Sequence, residues 1–306
     1  MDNNMFKTIL NESIDFIDSE LTIYNYSTDI KHLLYIIIPA FIIRYEYKNK
    51  NKIFQVFREV PLIETSENNK RFQAYYTSYP YKSNNKILTR KYILVRHYKD
   101  KPLIELLDNV IHEYNHAINS HINEVKITKK RIYIRTGLSY AIFDRNSLKP
   151  LGIDDKNILE EILNTKQTEE VVDIINNFNK NDLNNFDISN TLYSINNTID
   201  NQYKSNAYSL QKTFTKNLTN NKTIINILSN MRFNGNIDEI PKFFDDIVGK
   251  ENSYNDLIYI LNESSRLERE YANSKFFKKY KLNKIKSLYK KANIIIDNFN
   301  NNYHFK

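Results

Sequence analysis

The chain has 306 residues, enough for one large domain or two modest ones, and its 23 Tyr and 17 Phe bring large buried area to a sequence that is 41% apolar. It has no Cys, which excludes a disulfide framework and any metal site built on thiolates, so a metal here must be held by His and carboxylates. The net charge of +8 points either to an anionic partner or to AT-rich codon usage; the joint abundance of Lys, Asn, Ile, Tyr and Phe favours codon usage and speaks against nucleic acid as the main partner.

Gly and Pro are scarce, which predicts long regular elements. Residues 1–20 read as an amphipathic helix. Asp2, Asp15, Asp18 and Glu20 lie among its apolar positions, so the basic start and unbroken apolar stretch of a signal peptide are missing. Residues 21–99 are dense in Ile, Val, Tyr and Phe between Asn- and Lys-rich turns, and predict a mostly antiparallel sheet. The longest apolar run, Leu33 to Ile43, is too short to span a bilayer, is interrupted by Pro39, and reads as a buried strand with the proline at an end or bulge. The protein therefore reads as soluble and cytoplasmic, without a membrane span, and export by another route stays open.

Pro102 is placed to open a helix, and Leu103, Leu106, Leu107, Val110, Ile111, Ala117 and Ile118 form its apolar stripe over 102–125. Residues 126–144 predict two short strands around Gly137. A second helix follows Asp154 and Asp155 over 155–178. From about residue 185 the chain reads as helices with Asn-rich turns, ending in a basic amphipathic helix over 276–299. The fold class is α+β, with two domains at 1–180 and 181–306.

The chemistry concentrates in the first of these helices. His112, Glu113 and His116 form an H-E-x-x-H motif. Residues four apart lie on one helix face, so both imidazoles can reach one metal ion. Glu113 is displaced by about 100°, which directs its carboxylate towards a water at the metal and not towards the metal. There it can take the water's proton and pass it to a leaving amine, with the ion lowering the water's pKa from about 15.7 towards 7.

A catalytic zinc needs a third protein ligand and an open position. The metzincin pattern requires Gly and His where this chain has Asn119 and Ile122. His121 points away from the ligand face. A carboxylate on the 155–178 helix remains. Glu161 is preferred, because Ile158, Ile162 and Thr165 lie near its face, and Glu160, about 100° aside and nearer solvent, is next. Glu169 and Glu170 lie further along the same helix.

In HEYNHAINS at 112–120 and EEILNT at 160–165, joined by a two-stranded stretch, the sequence resembles the gluzincin metallopeptidases over roughly residues 100–180. The long interval between His116 and Glu161 is similar to that of anthrax lethal factor, where thermolysin-like members have a shorter one. The chain also resembles small bacterial zincins in which HExxHxxN precedes an R-T-G-L-like run, here Arg135 to Leu138. The resemblance implies a zincin-like catalytic domain over 1–180, with a mixed or antiparallel sheet, an HExxH helix and a glutamate helix, and then a mostly helical half. It implies Zn²⁺ held by His112, His116 and Glu161, with Glu113 as general base. It further implies an oxyanion-stabilising Tyr or His beyond the glutamate helix, for which Tyr208 is chosen ahead of Tyr203. Thermolysin-like members carry an Asp four residues after the ligand glutamate, where this chain has Thr165.

The function expected is a zinc metallopeptidase acting on a peptide or protein substrate, which an edge strand at 85–97 could hold as an added strand. The alternatives are a catalytically silent protein on the same scaffold and a basic nucleic-acid binder using the helix at 275–291.

Overall fold

The structure, a computed structural model, describes residues 3–65, 74–84, 86–96, 103–122, 124–178, 222–273 and 278–303. Three helices come first: α1 (Asn3–Glu20), α2 (Thr28–Arg44) and α3 (Lys50–Glu59). In α1 the buried positions Phe6, Ile9, Leu10, Ser13, Ile14 and Ile17 recur at helical spacing, while Asp15, Asp18 and Glu20 stay exposed.

The sheet expected over 21–99 is smaller than predicted, because α2 and α3 occupy its first part. The run Leu33–Ile43 is the interior of α2 and not a strand. From Ile36 to Ile42 every residue is buried, and a helix apolar on all sides gives no period by which to tell it from a buried strand. The signals that do separate the two lie at its ends. The Ser27 Oγ accepts a hydrogen bond from the Ile30 N–H at 3.4 Å, Asp29 stands in the first turn, and Arg44 in the last. Pro39 lies inside this helix. In α3, Ile53, Val56 and Phe57 form a one-sided stripe. Phe57 joins it to the rest of the core, with ring centroids 6.0 Å from Phe41 and 4.0 Å from Tyr114.

Strands β1 (Leu62–Thr65), β2 (Ala74–Ser83) and β3 (Lys86–Arg96) form a mixed sheet in the order β1-β3-β2. β2 and β3 are an antiparallel hairpin closed at Ser83 and Lys86, and β1 runs parallel to the C-terminal end of β3. Then come α4 (Leu103–Ser120), strands β4 (Val125–Ile127), β5 (Arg131–Thr136), β6 (Ser139–Asp144) and β7 (Pro150–Ile153), and α5 (Asn157–Asn176). The four strands form one antiparallel sheet in chain order. The strands expected around Gly137 are β5 and β6, and Gly137 takes φ +63° in their two-residue turn, as the first position of a type II′ hairpin requires. α4 stops at Ser120, short of the expected 125, and Val125 already belongs to β4. The remaining described chain is helical: α6 (Lys222–Asn234), α7 (Ile240–Val248), α8 (Ser253–Asn273) and α9 (Lys278–Tyr303). The architecture is thus α+β, with strands in the N-terminal half and helices in the C-terminal half. No described helix is long and apolar enough to cross a membrane.

The described residues form two compact units. One holds 3–118 with 167–178, the other 119–166 with 222–303. The expected boundary at 180–181 lies outside the described residues. Residues 119–166 go with the C-terminal helices because Leu138, Leu159, Ile162 and Leu163 share one apolar core with Ile224, Phe244, Leu261, Ile296 and Phe299.

Candidate metal centre

The apolar stripe of α4, with Leu106, Leu107, Val110, Ile111, Tyr114, Ala117 and Ile118 all buried, orients the polar positions of the helix. His112 and Glu113 are half-buried and His116 is buried. The two imidazole rings lie 5.0 Å apart between centroids. α5 contributes Glu161, and the ligand atoms of His112, His116 and Glu161 all lie within 4.8 Å of one another. Two imidazoles and one carboxylate on this scale match the donor set of a three-ligand zinc centre that keeps a fourth position open. His121 lies beyond the end of α4, and neither it nor Glu169 or Glu170 belongs to this group. Glu170 pairs with the Arg44 guanidinium at 2.6 Å.

Glu160 lies opposite to expectation. It is fully buried, whereas Glu161 is half-buried. Its Oε2 accepts the Leu138 N–H at 2.7 Å, and its Oε1 takes a hydrogen bond from the Arg232 guanidinium. α5 is buried around most of its girth, with Asn164, Gln167 and Thr168 inside alongside Leu159, Ile162 and Leu163. Apolar spacing on such a helix does not mark an inner face. Thr165, at the place of the supporting Asp of thermolysin-like members, donates its hydroxyl to the Glu161 carbonyl at 2.8 Å, within its own helix. Tyr208 and Tyr203 lie outside the described residues.

Glu113 stands apart from the three-residue group and accepts a hydrogen bond from the Tyr76 N–H of β2 at 2.6 Å. That bond shows which edge of the sheet faces Glu113. The Tyr76 N–H points away from β3, so the even positions of β2 face outward. Pro80, which has no N–H to give β3, has the same parity. The edge beside Glu113 therefore belongs to β2. β3, expected as the edge over 85–97, is the middle strand, paired by β2 along its length and by β1 from Ile93 to Arg96.

The two residues inside the motif hold the helix in place. The buried Tyr114 hydroxyl donates to the Val60 carbonyl at 3.2 Å, and burial raises its pKa well above the usual phenol value, keeping it a donor. Asn115, fully buried, accepts from the Tyr45 hydroxyl and donates to the Thr168 hydroxyl, both at 3.2 Å, which ties α4 to the C-terminal half of α5. A polar Asn within an otherwise apolar stripe was the sequence signal for this role.

No protein-family model, curated protein or solved structure matches the chain.

Proposed function

We propose that the protein is a zinc-dependent hydrolase of peptide bonds, with His112, His116 and Glu161 as the metal ligands and Glu113 as the general base. The observation that supports this most is the convergence of three donors of the right type on one point, two from α4 and one, Glu161, from α5. When bound, the ion would supply a Lewis acid for the scissile carbonyl and would acidify a water. Glu113 does the proton work. The Tyr76 N–H holds one carboxylate oxygen, which fixes the direction of the other as it takes a proton from the attacking water and returns it to the leaving amine. An extended peptide laid along the outer edge of β2 would run beside Glu113, with main-chain pairing giving affinity.

The test combines metal analysis with turnover of a peptide library. Wild type should carry one equivalent of zinc, which His112→Ala and Glu161→Ala lose. Glu113→Gln should keep the zinc and lose about 10²–10⁴-fold in turnover. Stoichiometric zinc in Glu161→Ala would remove that ligand, and unchanged turnover in Glu113→Gln would remove the catalytic role. Zinc bound without turnover in wild type would favour the silent scaffold instead.

A further inference from the structure

We infer that the buried Glu160–Arg232 pair, with Arg135, is a positioning device for the proposed zinc site: it fixes the rotation of α5 so that the neighbouring Glu161 faces the metal. The inference rests on the zinc reading given above. Glu160 and Glu161 are adjacent, so their side chains leave α5 about 100° apart, and anchoring one aims the other. Glu160 is anchored at both oxygens, by the Leu138 N–H at the β5–β6 turn and by Arg232 on α6. Neither charged partner of this pair has any solvent exposure.

The network continues to α4. Arg135, fully buried, donates to the carbonyls of Asn119 and Ile122, the latter at 2.5 Å, and to the Arg232 carbonyl at 2.5 Å. It thereby caps a carbonyl in the last turn of α4 and one just beyond its end, and adds a second donor to the Arg232 carbonyl in the last turn of α6, which also accepts the Gly235 N–H at 3.2 Å. Arg232 is held at both ends, through its carbonyl by Arg135 and through its guanidinium to Glu160. Two of the chain's four glycines close this joint. A Cβ on Gly137 would lie 2.0 Å from Glu160 Oε1, and one on Gly235 would lie 2.7 Å from Ile122. Both have positive φ, +63° and +78°, which glycine adopts at little cost. Side chains of this cost are a poor way merely to fill space, since apolar groups of similar volume are often as stable or more so. What they provide is direction, because the Arg232 guanidinium on one oxygen and the Leu138 N–H on the other leave the Glu160 carboxylate little freedom to turn.

The experiment measures the zinc dissociation constant, by competition with a chromophoric chelator, together with the melting temperature of the metal-free protein. It compares wild type, Arg232→Lys and the double variant Glu160→Met/Arg232→Met. Arg232→Lys keeps the charge and loses the planar guanidinium, and the double variant removes both charges of the pair together while Arg135 stays on its carbonyl partners. Both should bind zinc about 10–100-fold more weakly than wild type, the usual effect of losing an outer support. The double variant should nevertheless melt at or above Arg232→Lys. Wild-type zinc affinity in a folded Arg232→Lys or double variant would overturn the inference and leave the pair a purely structural one. Failure of wild type itself to bind zinc through His112 would overturn the metal reading first, and is seen without any variant of the network.

Discussion

Asn115 shows how much of this site is carried by residues that do no chemistry. It lies between the motif's glutamate and its second histidine, and its amide connects Tyr45 to Thr168 with no solvent exposure. Asn115→Ala would take one hydrogen-bond partner from each of two buried hydroxyls, and the expected net loss in chemical denaturation is about 1–3 kcal/mol. A loss below about 0.5 kcal/mol would mean that the amide is replaceable by water. At this scale the sequence was informative where chemistry dictates spacing: His112, Glu113 and His116 were legible because two ligands on one helix face need an interval of four. The apolar spacing that favours Glu161 over Glu160 does not mark the inner face of α5, since Glu160 is the more buried of the two. No rule of residue spacing could reveal that an arginine seventy-two positions later claims Glu160.

The elements divide into those with a period and those without. α1 and α4 were legible because their apolar positions recur on one side. α2 was not, because burial on every side erases the period, and β-branched residues then suggest a strand. The pairing of α8 with α9 illustrates what a charge run means at this scale. Lys284 and Lys281, which read as part of a basic face, lie 3.3 Å and 3.4 Å from Glu263 and Glu270 of α8. Arg266 hydrogen-bonds Glu263 as well, and Arg266 first, then Lys284, lowers the Glu263 carboxyl from its ordinary 4.5 to about 2. A carboxylate with a depressed folded-state pKa contributes stability that is full above the unfolded value and is lost as pH falls through the folded one. Glu263→Gln should therefore melt below wild type at pH 7, by about 1–2 °C given the partial exposure of these side chains. The gap should close as pH is lowered from 4.5 towards about 2. A gap that persists at pH 2 would show that the difference is one of packing and not of charge.

At the scale of the molecule, the net charge of +8 and the three-residue metal group make opposite claims about what the protein recognises. Pairing leaves that net excess unchanged, but Lys281 and Lys284 of the basic run of α9 face carboxylates of α8, so the run is not wholly a free cationic face. A metal that binds only the folded chain must stabilise all that folds with it, by about 2.7 kcal/mol when free zinc is a hundred times its dissociation constant. Each kcal/mol is worth about 2 °C or slightly more for a chain of this size, so zinc should raise the melting temperature by about 5 °C, and a chelator should reverse the change. Binding of zinc to histidines of the unfolded chain would reduce the shift without abolishing it. The control lies in the geometry. His112→Ala and Glu161→Ala keep the charge run of α9 and nearly the whole fold, yet each removes one of three converging donors. Neither should show the zinc-dependent rise. An equal rise in both variants would mean that zinc stabilises the chain from another place, and the group on α4 and α5 would then lose its claim to the metal.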